Sequence, residues 1–294
     1  MGLSSKELKE IETTLVDMLK NEIGPIIKSK AGTMFESYVD KANDVDLVTQ
    51  VDQDVEAKIH GILREKFPGF KFIGEETYVK GETQISDEPT FILDPIDGTT
   101  NFIHGFPYSC TSLGLSENKK PVVGVVYNPH LDQMFHASAC NGAYLNNAKI
   151  NVPKRKLTLQ KSLIAMESGS ERDDSGNFDI KAKTCKTFLS EKGASIHGVR
   201  SMGSAAMNMC YVASGMLDCY WEGGPWCWDV CAGICILNET GGICVGGNPG
   251  VWEIPLNGRC YLAVRSGASK DAQKQFIESF WKYVDGELVY EYKD

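Results

Sequence analysis

Two aspartates three residues apart stand in the run Asp94-Pro95-Ile96-Asp97-Gly98-Thr99-Thr100-Asn101-Phe102, directly after the apolar stretch Phe91-Ile92-Leu93. Pro95 pushes the backbone of Asp94 towards extended geometry. Both carboxylates can then converge at the end of a short buried strand. Gly98 permits close backbone approach or unusual dihedrals. Thr99 and Thr100 suit the start of a helix, where free N–H groups can hold a phosphate. Hard cations such as magnesium prefer carboxylate, carbonyl and water oxygens. The same residues also fit an Asx turn followed by a helix cap. The run by itself does not choose between a metal site and a turn.

Other acids stand in comparable places. Glu75-Glu76 follows Lys71-Phe72-Ile73-Gly74, and Asp229 sits between Trp228 and Val230 where an apolar helix begins. Asp52 closes Thr49-Gln50-Val51-Asp52 before another helix. Each has a plain alternative: a solvated acidic loop for Glu75-Glu76, a helix cap or first-turn acid for the two aspartates. What they share is position, since each stands where a strand gives way to a loop or where a helix starts. Loop-borne groups on a strand scaffold are where α/β proteins build sites. The five histidines, His60, His104, His130, His136 and His197, form no ligand pair and read as structural or surface residues. Metal ions can neutralise a phosphate monoester, activate water and stabilise the leaving alkoxide, so a histidine nucleophile is unnecessary.

The elements that must position these acids follow from periodicity. Leu8, Ile11, Leu15, Leu19, Ile23 and Ile26 predict an amphipathic helix over 6–28, with Gly24-Pro25 as a break or kink. Leu47–Thr49 reads as a strand, Val55 to Phe67 as a helix stopped by Pro68-Gly69, and Phe70–Gly74 as a strand. Phe91–Leu93 is a short strand running into the acidic loop. Between Cys110 and Asn147, short apolar runs separated by turns at 118–121 and 128–132 predict antiparallel sheet.

The character shifts at Pro153-Lys154-Arg155-Lys156, which divides the chain into an α+β half, 1–153, and an α/β half, 154–294. Ser168 to Phe178 reads as an exposed loop. In the second half, strands are expected at 162–166, 195–199, 217–221 and 261–264. Helices are expected at 180–192, 205–214, 228–240 and 272–284. This alternation argues for α/β structure. Residues 1–40, the 168–178 segment and the tail after Tyr261 carry no legible chemistry.

Composition excludes some classes. Of 294 residues, 23% are charged and 42% hydrophobic, as in an ordinary globular protein. The net charge of −9 argues against general nucleic-acid binding. No apolar run approaches the roughly 20 residues that span a bilayer, and the N-terminus lacks the apolar core of a signal peptide. A cytoplasmic protein without membrane partners is expected. Ten scattered cysteines without a CxxC pair read as reduced and mostly buried thiols.

Taken together, these motifs resemble the inositol monophosphatase family of lithium-sensitive, magnesium-dependent phosphomonoesterases. The resemblance runs from Lys41 to Gly242. It rests on Gly74-Glu75-Glu76, the Asp94–Phe102 run, Trp228-Asp229-Val230 with Ala232-Gly233, and Glu239-Thr240-Gly241-Gly242. The long N-terminal helix and the 168–178 insertion look closest to fungal-type members. The resemblance implies a five-layered αβαβα sandwich and a homodimer. It implies that Glu75, Asp94 and the carbonyl of Ile96 hold one magnesium, and that Asp94, Asp97 and Asp229 hold a second. A third would lean on Glu75 and water. Glu75 and Thr99 would orient the attacking water, with Asp52 holding the Thr99 hydroxyl. The Gly98 and Thr99 N–H groups would receive phosphate. Gly203, Ser204, Ala205, Glu222, Asp97 and Asp229 would line the substrate pocket. Three departures are visible: a Glu75-to-Asp94 spacing one residue shorter than in animal enzymes, absorbed within 77–88; Ser204 where threonine is common; and Cys231 where a small residue is common. None removes a ligand.

The expected reaction is hydrolysis of myo-inositol monophosphate to inositol and phosphate by metal-activated water, without a covalent intermediate. Lithium would inhibit. The alternative is a 3′(2′),5′-bisphosphate nucleotidase or a broader sugar-phosphate phosphatase, because relatives share the acidic core. Asn101-Phe102-Ile103-His104 and Glu222, seven residues before Asp229, favour inositol phosphate. A non-enzymatic homologue is disfavoured because every acidic ligand is retained.

Overall fold

Leu8, Ile11, Leu15, Leu19, Ile23 and Ile27 are buried along one side of the helical run that opens the chain. Helix α1 (Ser5–Met18) starts with a capping box, in which Ser4 and Glu7 satisfy each other's backbone N–H groups. A single π-helical stretch, Leu19–Ile23, precedes α2 (Gly24–Lys30). Pro25 lacks an N–H and its ring crowds the preceding turn, and a widened turn is one way a helix absorbs that. The structure is a computed structural model that describes residues 2–33, 38–40, 47–79, 81, 84–172 and 176–290, with the side chains of 38–40 and 47–49 undescribed. Lys41, where the family resemblance begins, lies outside them, as do parts of 77–88 and 168–178.

Strands β1 (Tyr38–Asp40) and β2 (Leu47–Thr49) pair antiparallel and lead into α3 (Gln50–Lys66). Then come β3 (Lys71–Gly74), β4 (Thr90–Asp97) and α4 (Thr99–His104). An antiparallel series follows: β5 (Cys110–Glu117), β6 (Lys120–Asn128), β7 (Gln133–Ser138), β8 (Ala143–Leu145) and β9 (Ala148–Lys149). The rest alternates: β10 (Leu163–Met166), α5 (Gly176–Leu189), β11 (Gly198–Arg200), α6 (Ala205–Ala213), β12 (Cys219–Gly223) and α7 (Cys227–Glu239). The last elements are β13 (Ile243–Gly246), β14 (Cys260–Val264) and α8 (Lys270–Trp281).

These elements stack in five layers. Strands β3 to β9 form a seven-stranded sheet in sequence order, and a five-stranded sheet runs β11-β10-β12-β14-β13. Alternate residues of each strand point to opposite faces, so each sheet feeds two cores. Leu113 and Leu115 of β5 pack with α1, α2 and α3 on the outer face. Ile92, Val126 and Phe135 face inward, where α6 and α7 fill the space between the sheets. Tyr220, Tyr261 and Ala263 close that middle core, while Trp221, Leu262 and Val264 turn outward to α5 and α8. The αβαβα expectation holds.

Helix α7 lies directly on the first sheet because two strand glycines admit it. A Cβ on Gly114 would overlap the Cys231 side chain, and one on Gly124 would overlap the Ala232 carbonyl. Cys231 therefore stands opposite a missing side chain. Most of the cysteines are buried, none is disulfide-bonded, and Cys140 is exposed.

Four expectations are corrected. Strand β4 does not end at Leu93 but continues through Asp97, so both aspartates lie on the strand and not in a loop. Helix α5 begins at Gly176, inside the segment read as a loop. The helix expected over 180–192 thus starts four residues earlier, because its first turn, Gly176-Asn177-Phe178-Asp179, is glycine-containing and polar; its inward face buries Lys181, Thr184 and Phe188. Strand β11 begins at Gly198, later than expected, and β13 was not foreseen. No described helix is long and apolar enough to cross a membrane.

Gly124→Ala forces a methyl group against the backbone of α7. It should lower stability by about 1–3 kcal/mol. An unchanged urea midpoint would mean that α7 does not sit this close to the sheet.

Candidate active site

A strand that ran regularly through residues 94–97 would aim Asp94 and Asp97 to opposite faces, because side chains alternate. The β4–β5 register shifts between these two residues. Such an irregularity re-aims side chains, and both carboxylates come to one place. Asp229 joins them from the first turn of α7. One oxygen from each of Asp94, Asp97 and Asp229 lies within 4.8 Å of the others. Asp94 is 3% and Asp97 8% exposed.

Backbone and hydroxyl donors hold each acid. Asp94 Oδ1 accepts the Ile96 N–H at 2.9 Å. Asp97 Oδ2 accepts from Ser204 Oγ at 2.6 Å and from the Ala206 N–H at 2.7 Å, at the N-terminus of α6. Asp229 Oδ2 accepts the Trp226 N–H at 2.6 Å, so Asp229 is a first-turn acid that caps α7 and at the same time stands beside Asp94 and Asp97. Burial raises all three acids against these donors. Asp94 is pushed well above the usual carboxylate range by burial, then by the charges of Glu75, Asp97 and Asp229. Asp97 is raised to about 6 by burial, with its hydrogen bonds opposing. Asp229 is raised to about 8 by burial and the charges of Asp97 and Glu75.

Glu75 stands outside the tight group of three but lines the same cleft, of about 920 Å³, and its charge acts on all three aspartates. Its N–H donates to the Leu93 carbonyl at 3.1 Å, fixing the end of β3 beside β4. Three converging acids, two of them buried and Asp229 half-buried, need positive charge, and every donor is oxygen. That set fits a hard divalent cation.

The other expected residues surround this point. Asp52 is buried in the first turn of α3, inside the helix and not before it. The Thr99 hydroxyl lies 3.5 Å from Asp52 Oδ1 and 3.0 Å from the Ile96 carbonyl. Gly98 caps α4 at φ 90°, and a Cβ there would sit 2.9 Å from the Gly203 carbonyl. Only glycine lets these two segments meet. Ser204 lines the cleft, but its hydroxyl is engaged with Asp97 and caps α6 through the Met207 N–H. Gly203 and Ala205 also line the cleft, as does Glu222 at the end of β12. Glu222 accepts the Tyr220 hydroxyl and is raised well above the usual range by burial and Glu167.

Two supporting acids were missed. Glu167, at the end of β10, accepts the Met202 and Gly203 N–H groups at 2.7 and 3.0 Å and the Asn208 amide at 2.9 Å. It shapes the turn that presents Ser204. Glu56 lies one helical turn after Asp52, and its Oε2 accepts the Glu76 N–H at 2.8 Å. A Cβ at residue 74 would overlap the Glu56 carboxylate, which accounts for glycine before Glu75-Glu76. The legible signals were the i, i+4 spacing of Asp52 and Glu56 and the placement of Glu167 at a strand end.

Residues 7–285 match the family described as the Inositol monophosphatase family. The chain is 65% identical to Inositol monophosphatase 2 of Saccharomyces cerevisiae, covering 99% of this chain and 100% of the relative. It is 49% identical to Inositol monophosphatase 1 of the same yeast, covering 97% and 99%. Among solved structures, the inositol monophosphatase of Anabaena (Nostoc) superposes with a TM-score of 0.74 at 27% identity, over 92% of this chain and 95% of that one.

The cluster makes a prediction about metal and pH. Asp97 and Asp229 ionise at about 6 and about 8 in the metal-free fold, above the ordinary 3.8. Between about pH 4 and pH 8 the folded chain therefore holds more protons than the unfolded one, and these groups weaken the fold as pH rises. A cation that binds the ionised carboxylates reverses that loss. The rise in thermal midpoint on adding a divalent cation should therefore grow from about pH 5 to about pH 8. A constant increment across that range would contradict the cluster as a metal site.

Proposed function

The chain belongs to the inositol monophosphatase family, and we propose that it hydrolyses inositol monophosphate to inositol and inorganic phosphate with magnesium as its metal. The convergence of Asp94, Asp97 and Asp229 in the cleft that also holds Glu222 carries this reading. The oxygen-only donor set suits magnesium. In the proposed arrangement Glu75, Asp94 and the Ile96 carbonyl hold one ion, and Asp94, Asp97 and Asp229 hold another. A third rests on Glu75 and water. When bound, magnesium neutralises phosphate charge, acidifies a water and stabilises the departing alkoxide.

The chain's own residues then position the reactants. Glu75 and Thr99 orient the attacking water, and Asp52 steadies the Thr99 hydroxyl, which lies 3.5 Å away. The Gly98 and Thr99 N–H groups receive phosphate oxygens at the start of α4. Ser204 and the start of α6 hold Asp97 in its ligating position, since Asp97 Oδ2 is tied to Ser204 and Ala206. Gly203 and Ala205 wall the pocket, and Glu222 faces substrate hydroxyls. Water attacks phosphorus directly, with no covalent intermediate. Lithium inhibits by occupying one magnesium position. A homodimer belongs to the same proposal through the family resemblance, and a cytoplasmic location and the division of the chain at residue 153 belong to it through the sequence pattern.

Hydrolysis of inositol 1-phosphate, adenosine 3′,5′-bisphosphate and fructose 1,6-bisphosphate, with magnesium and with or without lithium, tests the reading. Inositol 1-phosphate should be preferred and its turnover lithium-sensitive. Strong preference for either bisphosphate would sink the assignment. Asp97→Asn keeps an acceptor for Ser204 and Ala206 but weakens the metal position. Its kcat should fall on the order of 100-fold or more, since losing only an outer partner of a metal ligand already costs about 10–100-fold. Its circular dichroism should match the parent. Near-normal turnover would refute the proposed two-metal core.

A further inference from the structure

The segment after β10, the inner face of α5 and the chain end together close one wall of the cleft. Lys181 of α5 stands in that wall and is 4% exposed. Its Nζ donates to the Ser168 carbonyl at 3.0 Å and lies 3.7 Å from Glu171 Oε2. The Tyr290 ring centroid is 5.4 Å from the same ammonium, and the Tyr290 hydroxyl donates to Glu171 Oε2 at 2.9 Å. Gly169, at φ +68°, makes room for the cation, since a Cβ there would sit 2.9 Å from Nζ. Three separate stretches of chain thus build a seat for one buried ammonium.

An ammonium offers three protons. The Ser168 carbonyl takes one, and Glu171 at 3.7 Å is an ion pair beyond hydrogen-bond reach. Burying a cation with spare donors is costly unless a partner arrives. The cleft is where such a partner would come from, and Glu222 lines the same cleft close enough for the two charges to influence each other. Lys181 lies on none of the elements that carry Asp94, Asp97 or Asp229, so the metal cluster does not explain it.

We propose that Lys181 is a substrate-binding residue that, paired with Glu222, grips adjacent hydroxyls of the alcohol portion of the substrate. The inference rests on the phosphatase reading above and assigns the specificity of the same cleft. A hydroxyl both donates and accepts. An ammonium beside a carboxylate therefore matches two neighbouring hydroxyls, donating to one and accepting from the other. A buried site built in this way strongly rejects analogues that lack the hydroxyls. The chemical class selected is the phosphate monoester of a polyhydroxylated ring.

The test compares inositol 1-phosphate with p-nitrophenyl phosphate, whose alcohol has no further hydroxyl. In Lys181→Met, the ratio of kcat/KM for inositol 1-phosphate to that for p-nitrophenyl phosphate should fall about tenfold, mostly through KM, as expected for a lost charged hydrogen bond. Lys181→Gln keeps a donor and should fall between the parent and Lys181→Met, which guards against a methionine variant that folds poorly. An unchanged ratio in both variants overturns the proposal, because a purely structural lysine would affect both substrates alike. A larger loss on fructose 1,6-bisphosphate than on inositol 1-phosphate would also overturn it, since Lys181 would then serve a second anionic group. If the parent protein with magnesium cleaves p-nitrophenyl phosphate but not inositol 1-phosphate, the functional reading itself fails, a result separate from any change in the variants.

Discussion

Mutual repulsion among buried carboxylates is the constraint on which the rest of this structure depends. Asp94 and Asp97 are buried and Asp229 is half-buried, and the three place oxygens within 4.8 Å of one another. Left to themselves, such groups would move apart or take up protons. The fold prevents the first by tying each acid to a rigid donor. Ile96 holds Asp94, the start of α6 holds Asp97, and the start of α7 holds Asp229. The second is left to chemistry, and a cation competes with the proton for the same oxygens.

That arrangement explains features that otherwise look unrelated. The shift in the β4–β5 register turns two aspartates of one strand to the same side. Gly98 lets the Asp97 turn approach Gly203, and Glu167 shapes the turn from the other direction. Glu56 secures the backbone after Glu75, and Gly74 is the residue that gives it room. Further out, Gly114 and Gly124 let α7 lie against the first sheet, which carries Asp229 towards the end of β4. Small residues at close approaches and acids at element ends are two halves of one design.

Much of the site was legible because metal chemistry restricts residue type. Asp94, Asp97, Asp229 and Glu75 stand out as oxygen donors at element ends. The antiparallel middle of the chain was legible as well, because its turns and apolar runs are short and regular. Other elements were obscured where local pattern and final environment diverge. The first turn of α5, Gly176-Asn177-Phe178-Asp179, combines a glycine with polar residues and so reads as the end of a loop. Strand β4 continues through Pro95, which a local reading takes as the end of a strand. Glu167 and Glu56 look like ordinary acids because their importance lies in which backbone N–H groups they meet, and those belong to distant segments.

The sequence by itself marked most helices and strands through periodicity and the candidate acidic donors through residue type, since residue type limits coordination; the reaction class and the layered architecture followed from the family resemblance that its motifs carry. Tertiary structure decided which carboxylates share one point, which oxygens are already occupied by the protein, and what lines the far wall of the cleft. Ser204 was read as lining the substrate pocket, and its hydroxyl proved to be bound to Asp97. Ser168, Gly169, Glu171 and Tyr290 lie in stretches that carried no readable chemistry, yet they seat Lys181 beside the cleft. The physical reason is the same in each case. Burial and hydrogen-bond partners depend on residues more than a hundred positions apart, and only the folded chain brings them together.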